Sequence, residues 1–274
     1  MFPKKIIAVF HPRKPEVPQA VESLKRWAEA HRVDTWAIPL TEPLPVEPDE
    51  EFLAISLGGD GTFLKTAKLV AEYKTPILGI NVGSLGFLTQ THSQELIPAL
   101  DQVLAQMYTV EERLRLEAEY NSQRVSALNE IVLARTDIHD FTSVDLYWNE
   151  NFISRYPGDG VILATPSGST AYSLAAHGPI VFPALECMLI TPLNVHALGL
   201  RPLLLPAQAK LRAQVHLPSW LIVDGTRTAE LKPESQVLIR CSTHCTRVVV
   251  LQDHPGFFDL MADKLGWGSS PPRP

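Results

Sequence analysis

The stretch Phe52-Leu53-Ala54-Ile55-Ser56-Leu57-Gly58-Gly59-Asp60-Gly61-Thr62 runs from an apolar strand straight into a glycine-rich turn. Beyond it Phe63, Leu64, Ala67, Val70 and Ala71 recur at helical spacing, so the turn lies where a strand hands over to a helix. Glycines at such a junction let backbone N–H groups approach a phosphate, and the helix N-terminus adds a favourable dipole. An ordinary turn capped by Asp60 or Thr62 accounts for the glycines about as well. The aspartate tips the balance. A carboxylate among anion-binding amides repels phosphate unless it binds a metal ion or takes a proton from an attacking hydroxyl, and both uses belong to phosphoryl transfer. The sequence has no Gly-x-x-x-x-Gly-Lys-Ser/Thr and no Gly-x-Gly-x-x-Gly placed as a dinucleotide fingerprint, which argues against a P-loop kinase and a dehydrogenase.

Around this turn, the first third of the chain alternates strands and helices. Lys4–Phe10, Val33–Ile38 and Pro76–Val82 read as strands. Val17, Val21, Leu24, Trp27 and Ala28 mark one helix, and Leu96, Leu100, Val103, Leu104 and Met107 another. Pro39, Pro43, Pro45 and Pro48 demand a loop. This alternation predicts a parallel α/β domain over residues 1–110.

After that the period changes to two. Leu114, Leu116, Ala118 and Tyr120 alternate with Arg113, Arg115, Glu117 and Glu119, and Val144, Leu146 and Trp148 lead to a hairpin turn at Asn149-Glu150-Asn151. Further strand-length runs at Leu203–Leu205, Leu211–Val215, Leu221–Val223, Val237–Ile239 and Val248–Leu251 predict an all-β, sandwich-like domain over 111–250. The tail, 251–274, carries Phe257, Phe258, Leu260, Met261, Leu265 and Trp267, and is expected to form a helix that returns to the first domain.

Composition excludes several classes. With 274 residues, 45% hydrophobic and 20% charged, the chain is neither disordered nor a coiled coil. A net charge of −6 with interleaved signs argues against nucleic acid or an anionic membrane as a partner. Three cysteines form no disulfide framework, and no apolar run approaches the roughly 20 residues of a membrane span. The short apolar N-terminus reads as a strand and not as a signal segment, so a cytoplasmic protein is expected.

Three further segments carry polar chemistry. Asn81-Val82-Gly83-Ser84-Leu85-Gly86-Phe87 is a second glycine turn after a strand, and in a parallel sheet two such turns share one edge and can border one crevice. In Asp159–Ser173 the hydroxyls of Thr165, Ser167, Ser169, Thr170 and Ser173 can donate to phosphate or ribose oxygens, while Tyr172 offers a flat face to a base. Asp159 can accept from a sugar diol. Asn129-Glu130 precedes the apolar Ile131-Val132-Leu133; the amide matches an adenine edge, and the acid accepts from ribose hydroxyls or amines.

Taken together, these four segments resemble the NAD kinase family, in its order and over nearly the whole chain, with Thr165-Pro166-Ser167-Gly168-Ser169-Thr170-Ala171-Tyr172-Ser173 the most specific match. The resemblance implies an α/β domain joined to a β-sandwich-like domain, a homo-oligomer (dimer or tetramer), and transfer of the γ-phosphoryl of ATP, or of polyphosphate, to the 2′-hydroxyl of the adenosine ribose of NAD with a divalent cation, Mg²⁺. It implies that Asp60 is the proton acceptor, that Gly58, Gly59 and Gly61 form its binding turn, and that Lys65 approaches phosphates. Asn129 and Glu130 would hold the adenosine half of NAD and Asp159 a ribose. Thr170, Ala171, Tyr172, Ser173, Leu174 and Ala175 would hold the dinucleotide, partly across a subunit interface. No protein metal ligand is assigned. The chain departs from the family pattern at Gly199-Leu200-Arg201-Pro202, where Ser usually precedes Arg-Pro, and at Thr226, where Gln or Glu often follows Asp-Gly.

Two rivals are a lipid or sugar kinase of the wider Gly-Gly-Asp-Gly superfamily and a catalytically silent NAD(P)-binding regulator. The first lacks its Gly-Thr-x-Asn-Asp element here, and the second gains nothing from Asp60. Cys241, His244 and Cys245 do not suit a zinc site, because His244 points away from the two thiols on a strand. Ser169, His177 and Asp159 lack the elbow of a hydrolase triad.

Overall fold

The computed structural model describes residues 4–49, 51–83, 86–197 and 199–268. Ser84 and Leu85 of the second glycine turn lie outside them. The chain divides into two compact units, residues 1–111 with 247–274, and residues 112–246.

The first unit is built from β1 (Lys5–Phe10), α1 (Val17–His31), β2 (Asp34–Pro39), β3 (Phe52–Gly58), α2 (Asp60–Leu69), β4 (Ile77–Asn81), β5 (Thr91–His92), α3 (Leu96–Leu104) and β6 (Tyr108–Arg113). Strand order is β2-β1-β3-β4, with β1, β2, β3 and β4 all parallel. The chain leaves β1 for one side of the sheet and comes back as β3 on the other. The carboxyl ends of β1 and β3 therefore flank a topological switch point, where open α/β sheets place their ligands. β3 is buried at every position. On one face Ile6, Ala8, Leu53, Ile55 and Leu57 pack with Leu24, Trp27 and Ala28 of α1 and Leu100 and Val103 of α3; on the other, Ile7, Val9, Ile38 and Phe52 form a second cluster. The Trp27 indole N–H donates to Asp101 at 2.8 Å and ties α1 to α3.

The second unit contains β7 (Leu116–Tyr120), β8 (Gln123–Ala127), β9 (Glu130–Arg135), β10 (Thr142–Trp148), β11 (Asn151–Gly158), β12 (Gly160–Ala164), α4 (Tyr172–Ala175), β13 (Cys187–Leu193), β14 (Leu203–Pro206), β15 (Lys210–Val215), β16 (Ser219–Val223), β17 (Thr226–Leu231) and β18 (Gln236–Cys241). They form two antiparallel sheets, β11-β10-β15-β18-β7-β8 and β14-β13-β12-β9-β16-β17. Leu116, Ala118, Val144 and Leu146 of the first pack against Ile131, Leu133, Val161 and Leu163 of the second, the inward halves of alternating strands. Val132, Ile162 and Ala164 face the other way and are covered by Val181. The predicted hairpin turn is present, with Asn149 and Glu150 both at positive φ, 47° and 64°.

Three expectations are corrected. The run at Val248–Leu251, read as a strand of the second domain, belongs to β19 (Thr246–Leu251), which pairs in parallel with β4. Periodicity reports a strand but not its partner. Arg115, placed by alternation on the solvent face, is buried at 1% exposure, because it precedes β7 and does not follow that strand's pleat. The tail does form a helix, α5 (Phe257–Leu265), grouped with the first unit, yet it buries Leu260 and Met261 while Phe258 and Trp267 stay exposed. Two adjacent positions on one helix turn satisfy that face, Phe258 projects from another, and Trp267 lies beyond the Gly266 cap.

Candidate active site

In the first unit, β3 ends at Gly58 and Gly59 caps α2, so Asp60 occupies the first helical position. The first-turn N–H groups of a helix have no acceptor within it and point outward with the positive end of the dipole. A Cβ at Gly59 or Gly61 would meet nothing within 4 Å, so packing does not demand glycine there and the space in front of the amides is open. At Gly58 a Cβ would strike Thr62 Oγ1 at 2.1 Å, a steric reason for that glycine.

The two glycine turns meet on the Asp60 carboxylate. Phe87 N–H donates to Oδ2 at 2.9 Å and Leu88 N–H to Oδ1 at 3.1 Å. Thr89 Oγ1 accepts from Gly86 N–H at 3.0 Å and from the buried Asn81 Nδ2 at 3.2 Å, so the 86–89 backbone is itself braced. Each Asp60 oxygen keeps a second lone pair for an incoming proton or cation. Lys65 lies on α2 and is exposed. Sequence reasoning missed Lys14, whose ammonium donates to the Val82 carbonyl beside these turns. The signal was the sheet order: the loop after β1 lies across the switch point from the loop after β3, and His11 N–H bonds Leu57 O at 3.1 Å.

In the second unit, Asn129 and Glu130 form the turn into β9, and both are buried. Asn129 Oδ1 and Glu130 Oε2 are buried oxygens with no hydrogen-bond partner among the described residues. Burial, and then the like charge of Asp224, push the Glu130 carboxyl up to about 7 against a hydrogen bond from the Tyr172 N–H. From the other side the 165–168 backbone closes on this turn: Thr165 N–H donates to Asn129 O at 2.9 Å, and Thr165 Oγ1 donates to Leu128 O at 2.6 Å. A Cβ at Gly168 would fall 2.1 Å from Asn129 O.

The hydroxyl-rich segment divides its labour. Thr165, Ser169 and Ser173 are buried and spend their hydroxyls internally, Ser169 donating to Pro166 O at 2.6 Å and Ser173 pairing with Thr191 at 2.8 Å. Thr170 donates to Ser167 O at 3.2 Å. Tyr172 presents an exposed ring, Ala175 is exposed, and Ala171 and Leu174 are half-buried. Asp159 is already engaged, with Arg135 Nε at 3.2 Å and Asn194 Nδ2 at 2.8 Å. With Ser169 turned inward and Asp159 on an arginine, the hydrolase grouping has no triad geometry. Thr226 opens β17 and is exposed.

An α/β unit with a glycine turn at its switch point, joined in one chain to a β-sandwich with a polar turn of unpartnered oxygens, fits the class of nucleotide-dependent phosphotransferases. The family model for the ATP-NAD kinase N-terminal domain matches residues 44–108, and that for the ATP-NAD kinase C-terminal domain matches residues 128–251. The NAD kinase of Moorella thermoacetica is 40% identical over 233 residues, 81% of this chain and 75% of that protein. That of Heliobacterium modesticaldum is 36% identical over 271 residues, 92% and 95%. Among solved structures, yeast NADH kinase complexed with NADH superposes with a TM-score of 0.85 at 25% identity, covering 97% of this chain and 88% of that one. An NAD kinase from Archaeoglobus fulgidus in complex with ATP shares the fold, with a TM-score of 0.74 at 24% identity over 89% and 92%. The chain belongs to the NAD kinase family, whose members phosphorylate NAD and generally need a divalent metal for it. Neither the lipid or sugar kinase nor the silent regulator is favoured by these matches. No helix among the described residues is long and apolar enough to cross a membrane.

Proposed function

We propose that the protein transfers the γ-phosphoryl of ATP to the 2′-hydroxyl of the adenosine ribose of NAD, with Asp60 as the proton acceptor. The observation that carries this reading is the Asp60 carboxylate, oriented by the Phe87 and Leu88 amides at the edge of a turn with open space at Gly59 and Gly61. The amides of that turn and Lys65 bind the donor phosphates, Asp60 takes the hydroxyl proton as the new P–O bond forms, and ADP leaves. Asn129 and Glu130 hold the adenosine half through their two unpartnered oxygens, and Asp159 with Thr170, Ala171, Tyr172, Ser173, Leu174 and Ala175 holds the rest of the dinucleotide. The hydroxyl of Ser173 is committed to Thr191, so its share falls to its backbone.

No group of three or more acidic, His or Cys side chains among the described residues is placed to hold a metal ion. Mg²⁺ keeps waters and phosphates as most of its ligands, so the donor phosphates would hold it with no protein ligand assigned. When bound it neutralises charge on the transferred phosphoryl group. We also propose a homodimer or homotetramer in the cytoplasm, as the family resemblance implies.

The test is purified protein with NAD, ATP and Mg²⁺, read out by a strictly NADP-dependent dehydrogenase, with light scattering for the assembly. NADP formation that excess EDTA abolishes is expected. No NADP with any phosphoryl donor would overturn the reaction, and full activity in EDTA would remove the cation.

A further inference from the structure

Asp224 follows β16, and its role goes beyond the residues assigned above. Its backbone has φ 44°, a left-handed conformation that a non-glycine residue adopts at some cost. Its carboxylate gathers three consecutive amides: Leu128 N–H on Oδ2 at 2.9 Å, and Asn129 N–H at 2.8 Å and Glu130 N–H at 3.2 Å on Oδ1. The Asp224 N–H in turn donates to Glu130 O at 3.0 Å. Beyond it, buried Arg115 makes its hydrogen bonds to neutral groups, Ser126 Oγ at 2.9 Å, Ser126 O at 3.3 Å and Thr246 Oγ1 at 2.8 Å, and its charge acts on Asp224. A buried guanidinium paired with neutral acceptors leaves its charge to stabilise the nearest buried anion.

Resting on the NAD-binding reading of the same turn, we propose that Asp224 is a positioning residue: countered by Arg115, it gathers the 128–130 amides and so aims Asn129 Oδ1 and Glu130 Oε2 at the dinucleotide. A second consequence concerns protonation. The groups that act on Glu130 are Asp224, through its like charge, and Tyr172 of α4, whose N–H donates to it, while the charge of Arg115 acts on Asp224. Burial raises both acids, but Asp224 has three amide donors and the charge of Arg115 to hold its ionised form while Glu130 has one amide and is pushed up to about 7.

Asp224→Asn places an NH₂ against one of these N–H groups and removes the charge. By calorimetric titration its affinity for NAD should fall about tenfold or more, as expected for a buried donor left unpaired, while ATP affinity stays within about twofold. A readout independent of ligand is the carboxyl carbon shift of Glu130 against pH: without the like charge, its midpoint should move to lower pH. NAD affinity unchanged from the wild type in a protein that binds NAD, or a Glu130 midpoint that does not move, would overturn the proposal. Parallel loss of NAD and ATP binding would reduce Asp224 to a general structural role. Should that variant not fold, Asp224→Glu keeps the charge and displaces the carboxylate, so weaker NAD binding is expected with ATP binding retained, and wild-type NAD affinity would sink the idea. A wild-type protein that forms no NADP would defeat the functional reading while leaving the Glu130 titration to decide this one.

Discussion

Asp60 and Gly86 occupy places that only a glycine at position 86 permits: a Cβ there would stand 2.0 Å from Asp60 Oδ1. The second turn is thus cut to the shape of a carboxylate that two of its amides orient. Gly86→Ala should displace Asp60, and misplacement on the scale of 1 Å costs about 100-fold in rate. Gly59→Ala is the contrast. Its Cβ has open space, so the melting temperature should hold while KM for ATP rises. Melting curves beside steady-state kinetics for both variants separate the two effects, and equal kinetics would break the argument.

Asp60→Asn should lose most of its kcat, since a positioned base contributes about 10²–10⁴-fold to such a transfer. The structure adds a cost, because the Asn NH₂ faces either the Phe87 or the Leu88 N–H, donor against donor. NAD affinity should fall far less than turnover. Calorimetry with NAD beside the coupled assay checks this, and near wild-type turnover would remove Asp60 as base.

The outer face of the second unit carries a pH-dependent cluster. His216 Nε2 meets Asp145 at 2.9 Å and its Nδ1 meets Glu234 at 3.1 Å, and the Asp145 bond above all holds the imidazole above its usual value. A base that binds its proton more tightly when folded stabilises the fold below its unfolded pKa, about 6.5, and loses that contribution as pH rises through the folded value. The gap in melting temperature between wild type and His216→Gln should therefore be wider at pH 5.5 than at pH 8.5. Asp145, held low chiefly by its hydrogen bond to Arg155, contributes in the opposite sense, fully above about 3.9 and less as acid protonates it. An equal gap at both pH values would show that the pair does not couple to folding.

Truncation after Asp253 removes two buried apolar side chains, Leu260 and Met261, at up to roughly 1.5–3 kcal/mol each. The exposed Phe258 and Trp267 add little. A drop in melting temperature reproduced by Leu260→Ala with Met261→Ala, and not by Phe258→Ser with Trp267→Ser, is expected from differential scanning calorimetry. The reverse ranking would place the aromatic residues in the core.

Sequence by itself determined what rests on short-range pattern. The 3.6 and 2 periods are local consequences of backbone geometry, so the change near residue 110 from helices and parallel strands to antiparallel β was legible, as was the Asn149-Glu150 hairpin. The Gly58–Thr62 turn between a strand and a helix was legible too, because glycines around one aspartate at such a junction are visible in five residues. What only tertiary structure decided depends on partners distant in sequence. That β19 belongs beside β4 is a pairing across 171 positions from Ile77 to Val248, which no period encodes. Arg115 looked like a solvent-facing arginine until Ser126, Thr246 and the charge of Asp224 surrounded it. Hydroxyls in one dense run proved to have different fates, since whether a Ser points to a neighbour or to open space is settled by what packs over it: Val181 and Pro166 for Ser169, Thr191 for Ser173. Asp224 was invisible as an anchor for the same reason: its three acceptor bonds reach amides 94 to 96 residues away, and only the fold brings them within 3.2 Å.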